Sequence, residues 1–90
     1  MAKVKIPIQY RRFAEGQAYF QSREGKVRDI IDELLEKYPD LRPILFDEQQ
    51  KLRPSVLLFL DKKDIRFLSG VDTLMEEDSV LSIVPAIAGG

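Results

Sequence analysis

The stretch Val27-Arg-Asp-Ile-Ile-Asp-Glu-Leu-Leu-Glu-Lys-Tyr38 decides the fold. Val27, Ile30, Ile31, Leu34, Leu35 and Tyr38 recur at the spacing of one helix face. Asp29, in the first turn, suits the positive end of the helix dipole. Pro39 stops the helix near Tyr38. Lys26 occupies the N-cap, where Ser, Thr, Asp or Asn would hydrogen-bond a free backbone N–H, so that end is poorly capped. Asp29, Asp32, Glu33 and Glu36 fall opposite the apolar stripe, with Arg28 and Lys37 among them. They read as a solvated face, not as catalytic carboxylates.

Outward from this helix the chain reads as strands. Val4, Ile6 and Ile8 alternate with polar residues, and Pro7, which has no N–H to donate, ends regular pairing near Ile6. Arg11 to Gly16 reads as a loop. Gln17 to Gln21 reads as a second strand, with Ala18 and Phe20 on one face and Tyr19 on the other. Ser22 to Gly25 reads as a turn. After the helix, Leu41 to Phe46 is expected to form an irregular or helical turn that adds Leu41, Leu45 and Phe46 to the core. The apolar run Ser55 to Leu60 has the length of a strand. A turn at Asp61 to Asp64, a short strand at Ile65 to Leu68, a helical turn and loop at Asp72 to Asp78 and a last strand at Val80 to Val84 complete the reading. A single amphipathic helix among strands must cover one face of one sheet. The order suits an α+β roll of mixed sheet, with the first and last strands parallel at its centre. The folded domain is expected over residues 1–85, and residues 86–90 (Ala-Ile-Ala-Gly-Gly) as a tail.

Composition narrows the function. The 90 residues make one domain with one modest core. With 44% hydrophobic and 32% charged residues and a net charge of -1, the chain does not advertise a polyanionic partner. The charge is uneven: Lys3, Lys5, Arg11, Arg12, Arg23, Lys26 and Arg28 face only Glu15 and Glu24 in the first 28 residues. The sequence has no Cys and no His, which excludes disulfides, thiolate metal sites and a Cys or His nucleophile. No phosphate-cradling Gly pattern is present, and no constellation of catalytic side chains. No apolar run approaches the ~18 residues of a membrane span. Met1 to Lys5 lacks the apolar core of a signal peptide, so a cytoplasmic protein is expected.

Several segments together resemble the MoaD/ThiS family of ubiquitin-like sulfur carriers. They are Val4-Lys-Ile-Pro7 with Arg11-Arg12, Gly16-Gln17, Leu52-Arg53-Pro54, Asp64 to Thr73, and Leu81-Ser-Ile-Val-Pro-Ala-Ile-Ala-Gly-Gly90. The resemblance spans essentially the whole chain. The molybdopterin synthase small subunit and the carriers of cysteine synthesis fit best; thiamine-pathway carriers are usually shorter between the helix and the third strand. Three local features depart from the family pattern: Asp61-Lys62 where Asn-Gly is usual, Asp78 in place of a Gly, and Lys26 at the helix N-cap. All three concern turns and capping.

The resemblance implies a β-grasp fold and a carrier or co-substrate, not an autonomous enzyme. It implies that a ubiquitin-activating-type partner uses ATP to adenylate the carboxylate of Gly90, and that the chain itself binds no cofactor. A sulfur donor then forms a thiocarboxylate, which a sulfur-accepting synthase consumes in molybdopterin or cysteine synthesis. The tail chemistry agrees. A carboxylate becomes a good electrophile only when activated, and Gly89 and Gly90, lacking Cβ, let a chain end pass and turn in a narrow passage, with Ala88 just ahead of them.

A partner surface is expected on the sheet face away from the helix. Leu57 and Phe59 alternate with Val56, Leu58 and Leu60, and Val80 and Val84 with Leu81 and Ile83, so Leu57, Phe59, Val80 and Val84 share a face with nothing left to cover it. Arg11, Arg12 and Phe13, following the first strand, are expected at the tail end, positioned for an acidic rim on the partner. Without a basic stripe, one Arg pair does not indicate nucleic acid. Two other readings stay open: a protein modifier joined to lysines through Gly90, and a passive β-grasp interaction domain.

Overall fold

The computed structural model describes residues 1–86. The main sheet has the order β2-β1-β7-β4-β5, built from β1 (Ala2–Lys5), β2 (Tyr19–Ser22), β4 (Val56–Leu60), β5 (Lys63–Asp64) and β7 (Val80–Pro85). The first and last strands are parallel and central, with Lys3 opposite Val80 and Lys5 opposite Ser82. Every other pair in this sheet is antiparallel. A two-stranded sheet joins β3 (Gly25–Lys26) to β6 (Leu74–Met75).

The helix α1 runs Val27–Lys37 and lies on one face. Val27, Ile30, Ile31, Leu34 and Leu35 are at most 3% exposed and meet Val4, Ile6, Val56, Leu58, Leu81 and Ile83 from the strands. Burying each such side chain contributes about 1.5–3 kcal/mol, the main favourable term. Tyr38, the C-cap, is buried and meets Phe20 edge-on, with ring centroids 6.4 Å apart. The Ser22 hydroxyl donates to a Glu33 carboxylate oxygen, tying β2 to the helix. The segment after α1 forms a 3₁₀ turn at Pro39–Leu41 and the short helix α2 (Arg42–Leu45), burying Leu41 and Leu45 completely.

The N-terminus of α1 has no side-chain cap on Lys26, as expected. One free N–H is satisfied from elsewhere: Val27 N donates to the Thr73 carbonyl at 2.9 Å. Lys26→Ser supplies a capping hydroxyl and removes a cation from the positive end of the dipole. It is expected to raise stability by about 0.5–1 kcal/mol in urea unfolding.

The structure corrects four local expectations. Arg11 to Gly16 is not a plain loop: a 3₁₀ helix runs Ile8–Phe13, begun by the fixed φ of Pro7. The segment at Ile65 is not a strand. The Asp64 carboxylate accepts the Arg66 N–H at 2.9 Å and turns Ile65–Phe67 into a 3₁₀ helix, leaving the short strand at Lys63–Asp64. Ser22 to Gly25 is not one turn, since Ser22 closes β2 and Gly25 opens β3. Within Asp72 to Asp78, Leu74–Met75 is the strand β6. The departures at Asp61 and Asp78 are also accounted for. Both have positive φ, 56° and 69°, which Asp tolerates better than most residues. Asp61 exchanges bonds with Val80: its N–H donates to the Val80 carbonyl at 2.8 Å, and its Oδ1 accepts the Val80 N–H at 3.1 Å.

Asp64 is 8% exposed and is held by the Arg66 guanidinium, with Nη2 to Oδ2 at 2.6 Å. The bond from Arg66, first through its side chain and then through its backbone N–H, keeps the Asp64 carboxyl below its ordinary value. Backbone N–H groups of Lys51 and Gln49 do the same for Asp47. A depressed carboxyl stabilises the fold above the unfolded value of about 3.9, and that contribution is lost as pH falls through the folded value. Melting temperature is therefore expected to drop below about pH 4. Asp64→Asn should start lower at neutral pH and show a smaller acid-induced drop; an unchanged pH profile would show that the Asp64 carboxylate does not contribute.

Candidate partner face and tail root

The register of the sheet assembles the candidate surface. On the face away from α1, Leu57 lies opposite Val84 and Phe59 opposite Ser82, with Ser82 in turn opposite Lys5 and Val80 opposite Lys3. Lys3 faces Gln21, and Lys5 faces Tyr19, on β2. Leu57, Phe59, Val80, Val84 and Tyr19 thus form an apolar field with Lys3 and Lys5 across its middle. No described helix packs on this side, in contrast to the buried positions that alternate with it. Tyr19 and Val84 are 46% and 36% exposed, while Leu57, Phe59 and Val80 are half-buried among their neighbours. The Lys3 ammonium sits 5.1 Å from the Tyr19 ring centre.

Lys3, Lys5 and Tyr19 extend the field expected from Leu57, Phe59, Val80 and Val84. The signal for them was present: Lys3 and Lys5 alternate with Val4 and Ile6, so they face away from the helix. The outward positions of β1, β2, β7 and β4 carry no acidic side chain. The face is therefore apolar and cationic.

The end of β7, from which the expected tail would continue, lies at one end of this field. β7 ends at Pro85, opposite Val56, and Ala86 N donates to the Ser55 carbonyl at 2.7 Å. The 3₁₀ helix Ile8–Phe13 stands at the same end, because β1 runs parallel to β7 and feeds directly into it. Its three expected contact residues are not equivalent. Arg11 Nε donates to the Ile6 carbonyl at 2.9 Å, and Phe13 packs partly into the core, so both hold the turn in place. Arg12 is exposed, with its guanidinium 4.8 Å from the centre of the Phe13 ring. Ala88, Gly89 and Gly90, the residues expected to carry the chemistry, lie outside the described residues.

Among the clefts of the described residues, one of about 230 Å³ and one of about 360 Å³ lie beside the sheet. Both border Leu52, Leu58 and Val71, and Leu57 of the partner field lines only the smaller one. Among the described residues no group of acidic side chains is arranged to hold a metal ion, and no helix is long and apolar enough to cross a membrane.

A mixed sheet with parallel central termini, grasped around one helix, defines a ubiquitin-like β-grasp protein. The ThiS family pattern matches residues 4–90, and the chain belongs to the ThiS family. It is similar to the sulfur carrier protein CysO of Mycobacterium tuberculosis (strain ATCC 25618 / H37Rv), with 28% identity over 89 residues, 97% of this chain and 96% of the relative. A chain of the crystal structure of the Amycolatopsis orientalis BexX/CysO complex superposes with a TM-score of 0.87 at 27% identity, covering 100% of both chains. The solution structure of small archaeal modifier protein 1 (SAMP1) from Methanosarcina acetivorans gives 0.83 at 30% identity, covering 99% of this chain and 95% of that one.

Proposed function

We propose that this protein is a sulfur carrier whose Gly90 carboxylate is adenylated by an ATP-using, ubiquitin-activating-type partner and then converted to a thiocarboxylate. The observation that carries the reading is the family match, which runs through Gly90, together with relatives of nearly the same length named as sulfur carriers. The geometry supports it. The tail leaves from a central strand beside an apolar, cationic face, so one partner can grip the face while it takes the chain end. In this reading the protein contributes a carboxylate, a binding surface and a passable tail. The partner contributes ATP and activation, and a separate donor contributes sulfur, since the chain has no thiol of its own.

The carboxylate oxygen attacks the α-phosphorus of ATP and pyrophosphate leaves. A sulfur nucleophile at the hydrosulfide level then displaces AMP from the acyl carbon. A synthase of cysteine or molybdopterin assembly then receives the sulfur; the CysO relatives favour the cysteine route. We place the protein in the cytoplasm with these partners.

A second reading, a modifier joined to lysines through Gly90, is favoured by the SAMP1 similarity. Intact mass of the protein isolated from its own cells separates them. A species heavier by the exchange of one oxygen for one sulfur is expected for the carrier. Adducts to other proteins with no such species would overturn it in favour of the modifier.

A further inference from the structure

Ile8 is 75% exposed and follows β1 at the end of the sheet where β7 ends. It is not a loose residue. It opens the 3₁₀ helix Ile8–Phe13, which is fastened on several sides. Tyr10 N donates to the Pro7 carbonyl at 2.9 Å, and Ala14 N and Gly16 N donate to the Arg11 carbonyl at 2.9 and 2.8 Å. Arg11 Nε reaches back to the Ile6 carbonyl, and Tyr10, Phe13 and Ala14 pack inward. The fold therefore builds a firm platform and presents on it an isoleucine that contributes little to the core.

Its position follows from the register. Lys5 lies opposite Ser82, and the chain continues extended through Ile6, whose N–H donates to the Ala18 carbonyl at 2.8 Å, and through Pro7, with φ -67° and ψ 156°. Ile8 therefore stands level with Pro85, where β7 releases the tail. Ile87, Ala88, Gly89 and Gly90 separate Ala86 from the carboxylate proposed to react. Four residues span at most about 14 Å, so any partner that draws Gly90 into a reaction centre must bring the rim of its passage against this end. A stiff β-branched side chain on a fixed turn loses little conformational freedom when it is buried there.

We infer that Ile8 is an apolar anchor for the activating partner, seated in an apolar pocket at the mouth of the passage that takes the tail. Arg12, exposed one turn further along, meets a carboxylate on the border of that pocket. This rests on the adenylation reading above and adds a determinant separate from the sheet face.

The test uses the full chain and the ubiquitin-activating-type enzyme of the same organism, with ATP–pyrophosphate exchange as readout. Ile8→Asp is expected to raise the KM for the carrier about tenfold or more, with kcat and melting temperature unchanged. Ile8→Met should restore near-native KM. Leu74→Asp is the control: Leu74 is 65% exposed but lies beside Lys26, toward the end of the sheet where β2 closes, away from the tail. It should leave exchange unaffected. Native exchange by Ile8→Asp, or an equal loss in Leu74→Asp, overturns the anchor while the adenylation reading stands. Absence of exchange with the native chain overturns the adenylation reading and the anchor together.

Discussion

Adding one alanine after Gly90 is expected to abolish ATP–pyrophosphate exchange with the activating enzyme while leaving the melting temperature unchanged. The reacting carboxylate would be carried about 3.5 Å along the chain, roughly one residue of extended backbone. Displacing a reacting group by even ~1 Å costs on the order of 100-fold in rate, because the advantage of a held geometry is lost. The new terminus would also carry a Cβ where Gly90 has none. A loss of at least ~1,000-fold is the expected result. Deleting Gly89 and Gly90 should be equally damaging, since the carboxylate would then fall short of ATP. A passive interaction domain predicts no change in either variant. Exchange by the extended chain within tenfold of native would remove Gly90 from the chemistry.

Phe59→Arg is expected to weaken the complex with the activating partner about 100-fold, or close to 3 kcal/mol, in calorimetric titration. Phe59 lies on β4, opposite Ser82 and close to Leu57, Val84 and Lys5 on the uncovered face. A guanidinium there removes an aromatic ring from the field and adds a third cation beside Lys3 and Lys5. The partner would have to desolvate that charge without a matched carboxylate. The fold should survive, because Phe59 points away from α1 and is only half-buried. A stability loss of about 1 kcal/mol is expected. A fully buried Phe would instead cost about 3–5 kcal/mol on truncation alone, and a charge there more. Native affinity with native stability would remove the face from the interface. Paired with the Ile8 variants, this experiment separates grip on the sheet from grip at the tail root.

The legible parts of the fold are those with a period. The apolar stripe of α1 and the alternation in β1, β4 and β7 arise from side chains that must meet one core, so they repeat along the chain. The misread parts have no period. Ile65-Arg-Phe-Leu68 has strand-like composition, but one hydrogen bond from the Arg66 N–H to Asp64 bends it into a 3₁₀ turn. The pairing of Gly25-Lys26 with Leu74-Met75 is two residues long and joins distant parts of the chain, so no local window contains it. The same division holds at the site. Leu57, Phe59, Val80 and Val84 were legible from alternation within two strands. Alternation in β1 turns Lys3 and Lys5 outward as well, but only cross-strand register sets them and Tyr19 beside the other four. Arg11 and Phe13 look like surface groups in sequence, and the fold uses both largely to hold the turn that presents Ile8 and Arg12.

The residues alone determined the helix, the principal strands, the absence of thiol and imidazole chemistry, and the Gly-Gly end on which the proposed reaction depends. These are properties of composition and short-range spacing, which the chain carries before it folds. Tertiary structure decided which side chains share a face and which stand at the tail root. Strand register and a parallel central pair are long-range choices, settled by the requirement that Val4, Ile6, Leu81 and Ile83 be buried together under one helix.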